Sequence, residues 1–162
     1  LIAGEGPALQ RLQDHARQLG VSDSVRFVGY LDRTHELPDC YAAADLFVFA
    51  SHTETQGLVL LEAMAAGLPV VALAKMGTCD ILVEASGALA PPAEREAFAA
   101  AMVDVATSPA RRARMREQGR AWAASWSDDA LTARLADLYR QLSHRSSHAE
   151  IPWKAHSKAR PA

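Results

Sequence analysis

Residues 45–73, DLFVFASHTETQGLVLLEAMAAGLPVVAL, decide the fold of this chain. The stretch begins with a short apolar run at 45–50 and ends with a second one at 69–73. Between them lie a polar loop and a helix rich in Leu and Ala that begins at Gly57 and stops at Gly67. A wholly apolar strand is typical of a parallel sheet that is covered on both faces. The stretch therefore predicts a strand, a helix and a parallel strand.

The same alternation continues on both sides of this stretch. Upstream, the spacing of apolar residues predicts strands at 1–3 and 24–28 and helices at 8–19 and 35–44. Downstream, it predicts a short edge strand at 87–90 and helices at 94–107, 109–124 and 128–143. Ser127 precedes the last helix as its N-cap. Alternating strands and helices predict an α/β fold, a Rossmann-like doubly wound parallel sheet followed by a helical C-terminal region.

Length and composition indicate one globular domain. The chain has 162 residues, of which 49% are hydrophobic and 22% are charged. We expect the domain to span residues 1–142, and residues 143–162 to form a disordered tail, because Ser, His, Lys, Arg and Pro mix there without periodicity. The chain begins with Leu1 inside an apolar strand and without Met, so we expect it to be a fragment of a longer protein.

The bulk charge and the rarer residue types exclude several functional classes. A net charge of −2 provides no basic footprint for nucleic acid. No apolar run approaches the roughly 20 residues that a membrane span needs. Cys40 and Cys79 are expected to be buried, reduced thiols. His144 and His148 have the helical spacing of metal ligands but lie in the expected tail, so no metal site is predicted.

Four loops follow predicted strands, at 4–7, 29–33, 51–57 and 74–78. In open α/β sheets, ligands bind at the carboxyl ends of the strands. We therefore expect all four loops to open on the same rim of the sheet.

The loop and helix at 51–62 carry the strongest chemical signal. A helix N-terminus offers free backbone N–H groups and a partial positive charge, so the N–H groups of Gly57, Leu58 and Val59 could hold a phosphate. Glu62 lies within an apolar helix, where a carboxylate needs a hydrogen-bonding partner such as sugar hydroxyls. The alternative is structural: Glu54 would be an exposed loop acid, and Glu62 would pair with a neighbouring base such as Lys75.

The spacing of these residues closely resembles the signature of the family 4 (group 1) retaining glycosyltransferases. That signature is a Glu, seven residues, and then Glu-Ala-Met-Ala-x-Gly-x-Pro-Val-Val-Ala, which residues 54–72 match. Blocks that are similar to the family's stand at 1–7, 25–29 and 41–48, in the family's order and spacing. The resemblance as a whole covers about residues 1–142. It implies the GT-B architecture of two Rossmann-like domains, of which this chain resembles the C-terminal, donor-binding one.

The resemblance implies a donor site for a nucleotide-diphosphate sugar, a UDP- or GDP-sugar. Glu54 would be the catalytic residue that orients the sugar, and Gly57, Leu58 and Val59 would meet the diphosphate and sugar. Glu62 would bind the ribose hydroxyls. The other residues expected at the donor are Gly4, Tyr30 and Leu31.

The resemblance also implies transfer of a hexose with retention of configuration, without a cofactor or a required metal. Fixed donors would stabilise the leaving diphosphate, usually an Arg and a Lys that lie upstream of the block at 4–7 in the family. Neither that pair nor the N-terminal acceptor domain is in this sequence, so we expect the chain alone to be inactive. The parent protein is expected in the cytoplasm, with peripheral contact to the inner face of the membrane as a further expectation.

Two departures from the family pattern bear on the site. Thr55 and Gln56 stand where Gly-Phe is frequent before Gly57, and the loop at 75–78 with Asp80 stands where many relatives carry a Gly-Gly pair. Lys75 could contact phosphate or balance Glu62.

Two other functions fit the same fold. One is a Rossmann-like nucleotide-binding module without chemistry. The GxGxxG dinucleotide fingerprint is absent, however, because Gly4-Glu5-Gly6 is followed by Pro7 and by no third Gly. The other is a GT-B sugar-nucleotide epimerase.

Overall fold

The computed structural model describes residues 1–146. Its elements confirm the predicted alternation of strands and helices. The strands are β1 (Ile2–Ala3), β2 (Phe27–Gly29), β3 (Phe47–Phe49) and β4 (Val70–Ala72). The helices are α1 (Leu9–Gln18), α2 (Glu36–Ala43), α3 (Leu58–Ala65), α4 (Arg95–Thr107), α5 (Pro109–Ala124) and α6 (Asp128–Ser146). Two short 3-10 helices, Met76–Asp80 and Glu84–Ser86, lie between β4 and α4.

All strand pairing is parallel within the described part of the chain, as predicted. β1 pairs with β2, and β3 pairs with β4 in the register Phe47 to Val70. Leu89 adds a parallel bridge to Val71, so the predicted edge strand is reduced to one bridge.

The strands are shorter than predicted, and they form two separate pairs within residues 1–146 instead of one hydrogen-bonded sheet. The strand predicted at 24–28 begins only at Phe27, because the N–H of Ser24 donates to the Val21 carbonyl in a turn. A turn-bound N–H cannot join a strand ladder, so the local turn shortens β2.

The core of the first unit lies around β4. Val70, Val71 and Ala72 are buried, and α3 packs there through Leu60 and Met64. Val71 also joins a cluster formed with residues of α4 and α5 and the segments beside the strands: Val105, Met115, Leu46, Leu89, Phe98, Ala101 and Met102.

The expectation that both faces of β3 are covered is wrong. Val48 is 41% exposed, whereas its register partner Val71 is fully buried. Because register partners in a parallel pair point to the same face, the cover over β4 on this face does not extend to β3. The expectation of two buried thiols is wrong as well, since Cys79 is exposed and Cys40 is half-buried.

The chain divides into two compact units, Leu1–Ala123 and a second one that begins at Ala124. In the second unit, Ser127 caps α6, since the Ala130 N–H lies 3.3 Å from its Oγ. The apolar stripe predicted for this helix (Leu131, Leu135, Leu138, Tyr139 and Leu142) is 41–65% exposed.

The last helix extends further than predicted. α6 runs through Ser146, three residues beyond the predicted end of the helix. The chain has neither glycine nor proline between Ser143 and Pro152, so the helix meets no breaker at 143. The rest of the expected tail, 147–162, lies outside the described residues, as does His148. No helix within 1–146 is long and apolar enough to cross a membrane.

Candidate donor site

The loops that were expected to share one rim are linked by specific contacts. The N–H of Gly4 donates to the Gly29 carbonyl at 2.7 Å, which joins the loops after β1 and β2. The N–H of Gly77 donates to the Glu54 carbonyl at 3.1 Å, which joins the loops after β3 and β4. Arg33 and Glu62 form an ion pair between the loop after β2 and helix α3. The loops are therefore linked in two pairs, and the Arg33–Glu62 ion pair connects the first pair to helix α3, which follows the third loop.

Glu54 bonds to the backbone just before helix α3. Its Oε1 accepts hydrogen bonds from the N–H groups of Gly57 at 2.9 Å and Gln56 at 3.1 Å. These bonds hold the pKa of Glu54 below its usual value, with the Gly57 N–H as the largest cause. Both bonds end on Oε1, so Oε2 keeps its capacity to accept hydrogen bonds from a ligand. The sequence predicted an acid at this place, but not its bonds to the backbone.

Gly57 is required by the geometry of the helix start. Its φ is +72°, in the left-handed region that favours glycine. A Cβ there would lie 2.9 Å from the Cδ1 of Ile81 and 3.4 Å from the Cγ2 of Thr78, both of which are buried. Gly57 thus lets the loop pass close to the 3-10 helix that follows β4.

The first N–H groups of α3 divide into two sets. The N–H of Gly57 is engaged by Glu54, so the predicted cradle of three N–H groups is reduced in this structure. Leu58 and Val59 lie in the first turn, where a helix provides no intrahelical acceptor, and neither N–H has a hydrogen-bond partner among residues 1–146. These two N–H groups are free hydrogen-bond donors at the start of α3.

The loop after β4 packs directly on the loop that carries Glu54. A Cβ on Gly77 would lie 1.9 Å from the carbonyl oxygen of Thr55, so only glycine fits. Buried Thr78 fixes the base of the loop, because its Oγ1 accepts from the Lys75 N–H and lies 2.8 Å from the carbonyls of Leu73 and Lys75. The Lys75 side chain is exposed beside this packed turn.

Glu62 pairs with Arg33, and the proposed pairing with Lys75 is not observed. Its Oε1 accepts a hydrogen bond from the Arg33 guanidinium, and its Oε2 lies 3.3 Å from the hydroxyl of Tyr41, which donates to it. The Glu62 side chain is 31% exposed and that of Arg33 is 66% exposed. Sequence reasoning placed Arg33 in a rim loop but did not pair it, and it missed Tyr41.

Tyr41 bonds directly to Glu62, and Asp32 shapes the loop that carries its other partner, Arg33. Burial of Tyr41 and the neighbouring negative charge of Glu62 raise the pKa of the Tyr41 hydroxyl to about 12. Asp32 shapes the loop that presents Arg33, since its Oδ1 accepts the N–H groups of Thr34 and His35. These two bonds lower the pKa of Asp32.

The remaining predicted residues lie on the same edge. Tyr30 follows β2 directly and is 67% exposed, and Leu31 beside it is half-buried. Gly4 lies at the end of β1 and is bound to the backbone of Gly29. Within the described residues, no group of three or more His, Cys, Asp or Glu side chains could hold a metal ion.

Comparison with known proteins supports one family. A family model described as glycosyl transferases group 1 matches residues 1–122. The D-inositol 3-phosphate glycosyltransferase of Saccharomonospora viridis is 38% identical over 148 residues, 87% of this chain and 34% of that protein. The GDP-mannose-dependent alpha-(1-6)-phosphatidylinositol monomannoside mannosyltransferase of Mycolicibacterium smegmatis is 36% identical over 85% of this chain and 38% of its own length.

A solved structure is similar over the same part of the chain. Sucrose-phosphate synthase from Thermosynechococcus elongatus matches with a TM-score of 0.69 and 30% identity, over 86% of this chain and 35% of that one. The chain thus spans about a third of the length of these proteins. The expected fold, a Rossmann-like half of a GT-B glycosyltransferase, is confirmed. The matched range contains both Glu54 and Glu62 and every loop of the rim, and the chain belongs to the group 1 glycosyltransferases.

Proposed function

We propose that this chain is the donor-binding part of a retaining hexosyltransferase, which moves a hexose from a nucleotide sugar to a glycan, lipid or small-molecule acceptor. The observation that carries the proposal is the shared rim. It brings two free N–H groups, a charged Glu54 and the half-exposed Glu62 to neighbouring positions around the start of α3. This combination offers hydrogen-bond donors for a diphosphate and acceptors for sugar hydroxyls.

The diphosphate would bind at the N-terminus of α3. The N–H groups of Leu58 and Val59 have no protein acceptor in the described part of the chain, and the helix dipole favours an anion at this end. Fixed N–H donors stabilise a leaving diphosphate without reorganisation, so we propose a site that requires neither metal nor cofactor. Exposed Lys75, on the adjoining loop, could add a positive charge.

Glu54 would orient the transferred sugar. Its lowered pKa keeps the carboxylate ionised at neutral pH, so it accepts hydrogen bonds and does not donate them. The two backbone bonds to Oε1 fix the side chain, and Oε2 is the oxygen that a sugar hydroxyl would meet. We assign Glu54 the catalytic role on this basis.

Glu62 would accept the ribose hydroxyls, and exposed Tyr30 with Leu31 would face the nucleobase. One relative is named as GDP-mannose-dependent, which supports a nucleotide sugar as the donor and is compatible with a UDP- or GDP-sugar here. The acceptor domain and the Arg and Lys that the family resemblance implies lie outside this chain. We therefore propose that the chain alone turns over no donor, and that its parent acts in the cytoplasm, with peripheral membrane contact.

An NMR amide-shift titration with UDP, GDP and ADP tests the donor site, because it detects weak binding residue by residue. We expect saturable shifts at Tyr30, Leu58, Val59 and Glu62 with at least one nucleotide. The amide of Val103, on α4, serves as the remote control and should not move. The assignment would be contradicted if the rim amides did not shift, or if the Val103 amide shifted as much as they do. Turnover of any donor by the isolated chain would contradict its proposed inactivity.

A further inference from the structure

The Glu62 carboxylate is held by one protein donor on each oxygen. Arg33 bonds to Oε1 from the loop after β2, and the Tyr41 hydroxyl bonds to Oε2 from helix α2. We propose that Tyr41 is a positioning residue, which sets the orientation of Glu62 so that this carboxylate receives a vicinal diol. The inference rests on the proposed function, in which Glu62 accepts the ribose hydroxyls.

The position of the Tyr41 hydroxyl is fixed by packing. The Tyr41 side chain is buried, and its ring meets that of Phe47 edge-on, with centroids 5.7 Å apart and planes at 72°. Phe47 in turn stacks on Phe49 at 6.2 Å and 16°. A buried ring held against an aromatic pair has little freedom to rotate, so its hydroxyl is a fixed donor at the edge of the site.

The Tyr41 hydroxyl stays protonated, so it can always donate its hydrogen bond. With a pKa raised to about 12, it stays protonated throughout the pH range in which proteins are commonly handled. A neutral hydroxyl carries one donor proton, and Glu62 is the acceptor that this proton reaches.

The two donors leave room for a ligand. An ionised carboxylate offers about four lone-pair sites, two on each oxygen. Tyr41 and Arg33 each use one, so one site on Oε1 and one on Oε2 remain. Two neighbouring hydroxyls on a ribose can donate one hydrogen bond to each, which makes a cis-diol the matching ligand.

Tyr41 and Arg33 contribute unequally. The Arg33 side chain is 66% exposed, and an exposed ion pair is weakened by solvent and side-chain entropy. The Tyr41 donor is buried and its partner is the shared Glu62. Tyr41 is therefore the donor expected to hold the carboxylate while Arg33 exchanges with solvent.

The test compares nucleotides with and without the diol. Binding of UDP and GDP, and of their 2′,3′-dideoxy counterparts, is measured by amide shifts or calorimetry with the 162-residue chain and its Tyr41→Phe variant. This substitution keeps the ring and its packing and removes only the hydroxyl. Loss of one such hydrogen bond should weaken diol binding about threefold to tenfold. Binding of the dideoxy nucleotide should stay unchanged, which a general structural defect would not produce.

Two further variants complete the design. Tyr139→Phe removes a hydroxyl from an exposed tyrosine of α6 and should leave both nucleotides unaffected. Combining Tyr41→Phe with Glu62→Gln should weaken binding no further than Glu62→Gln alone, because the effect of Tyr41 passes through Glu62. Additive losses would overturn the proposal.

The outcomes separate this inference from the function on which it rests. If the natural chain prefers the diol nucleotide and Tyr41→Phe keeps the same preference, Tyr41 has no positioning role and the proposed function stands. If the natural chain binds neither nucleotide, or binds both equally, the assignment of Glu62 to ribose fails and this inference fails with it.

Discussion

The N–H of Gly57 donates a 2.9 Å hydrogen bond to the carboxylate of Glu54, three residues before it. The same carboxylate therefore fixes the backbone just before helix α3 and stands at the proposed sugar site. Its two functions need the same state, an ionised side chain held against the helix start.

Glu54 should make the stability of the chain depend on pH. Its pKa is lowered in the folded state, so its contribution is present above the pKa of the unfolded chain and is lost as the pH falls through the folded pKa. We expect Glu54→Gln to lower the Tm at neutral pH, and the difference from the natural chain to vanish in acid. Thermal unfolding followed by circular dichroism across this pH range measures it.

The control for this experiment is Glu117→Gln, which neutralises an exposed acid on α5. Its difference from the natural chain should not converge in the same way. If the two variants behave alike, the bonds from Gln56 and Gly57 to Glu54 contribute nothing measurable to stability.

Glu62→Ala should leave the fold intact and weaken nucleotide binding. The Arg33 side chain is 66% exposed, so loss of this ion pair should cost no more than about 1 kcal/mol of stability, and loss of the acceptor of the buried Tyr41 hydroxyl should add about 1 to 3 kcal/mol. Loss of charge-assisted hydrogen bonds to ribose should weaken binding by about 1.5 to 3 kcal/mol. Calorimetric titration with UDP and GDP tests this, with Glu117→Ala as the matched control. An unchanged affinity would assign Glu62 to structure alone.

Gly77→Ala should destabilise the first unit through a direct clash. The added Cβ would lie 1.9 Å from the Thr55 carbonyl oxygen, so the loops after β3 and β4 must separate. Forced overpacking of this kind costs about 1 to 3 kcal/mol. Urea denaturation gives the free energy of unfolding, and Gly6→Ala is the control because a Cβ there meets nothing within 4 Å. Equal stability of the two variants would contradict the packing of these loops.

Met76 tests the backbone conformation of the loop after β4. Its φ is +52°, which L residues adopt at a cost of roughly 1 to 2 kcal/mol. Met76→Gly removes this strain but raises the entropy of the unfolded chain, so stability should rise by up to about 1 kcal/mol. Met76→Val should be less stable than the natural chain, because a β-branched residue fits this conformation worse. Chemical denaturation gives the free energy of unfolding of both variants. If Met76→Val were more stable than Met76→Gly, the left-handed conformation would be contradicted.

Much of the secondary structure follows from short-range sequence features. Ser127 and Pro109 mark helix starts, and Gly67 follows the end of α3, as predicted. These signals act within a few residues, through capping and backbone conformation, so the sequence contains them fully. Strand ends were less predictable, because the turn at Ser24 competes with the strand ladder for the same N–H group.

Local spacing in the sequence is enough to predict the α/β class, the helices, the family and the two acids, Glu54 before α3 and Glu62 within it. The partners that those acids take depend on the tertiary structure. Glu62 meets Arg33 and Tyr41, 29 and 21 residues away, and Lys75 is not its partner. Several bases were equally available by sequence, and the choice depends on how the loops after different strands meet at the rim. The need for glycine at position 77 is likewise evident only in the folded structure, where its loop lies against Thr55. A steric limit between distant residues leaves no local signal in the sequence.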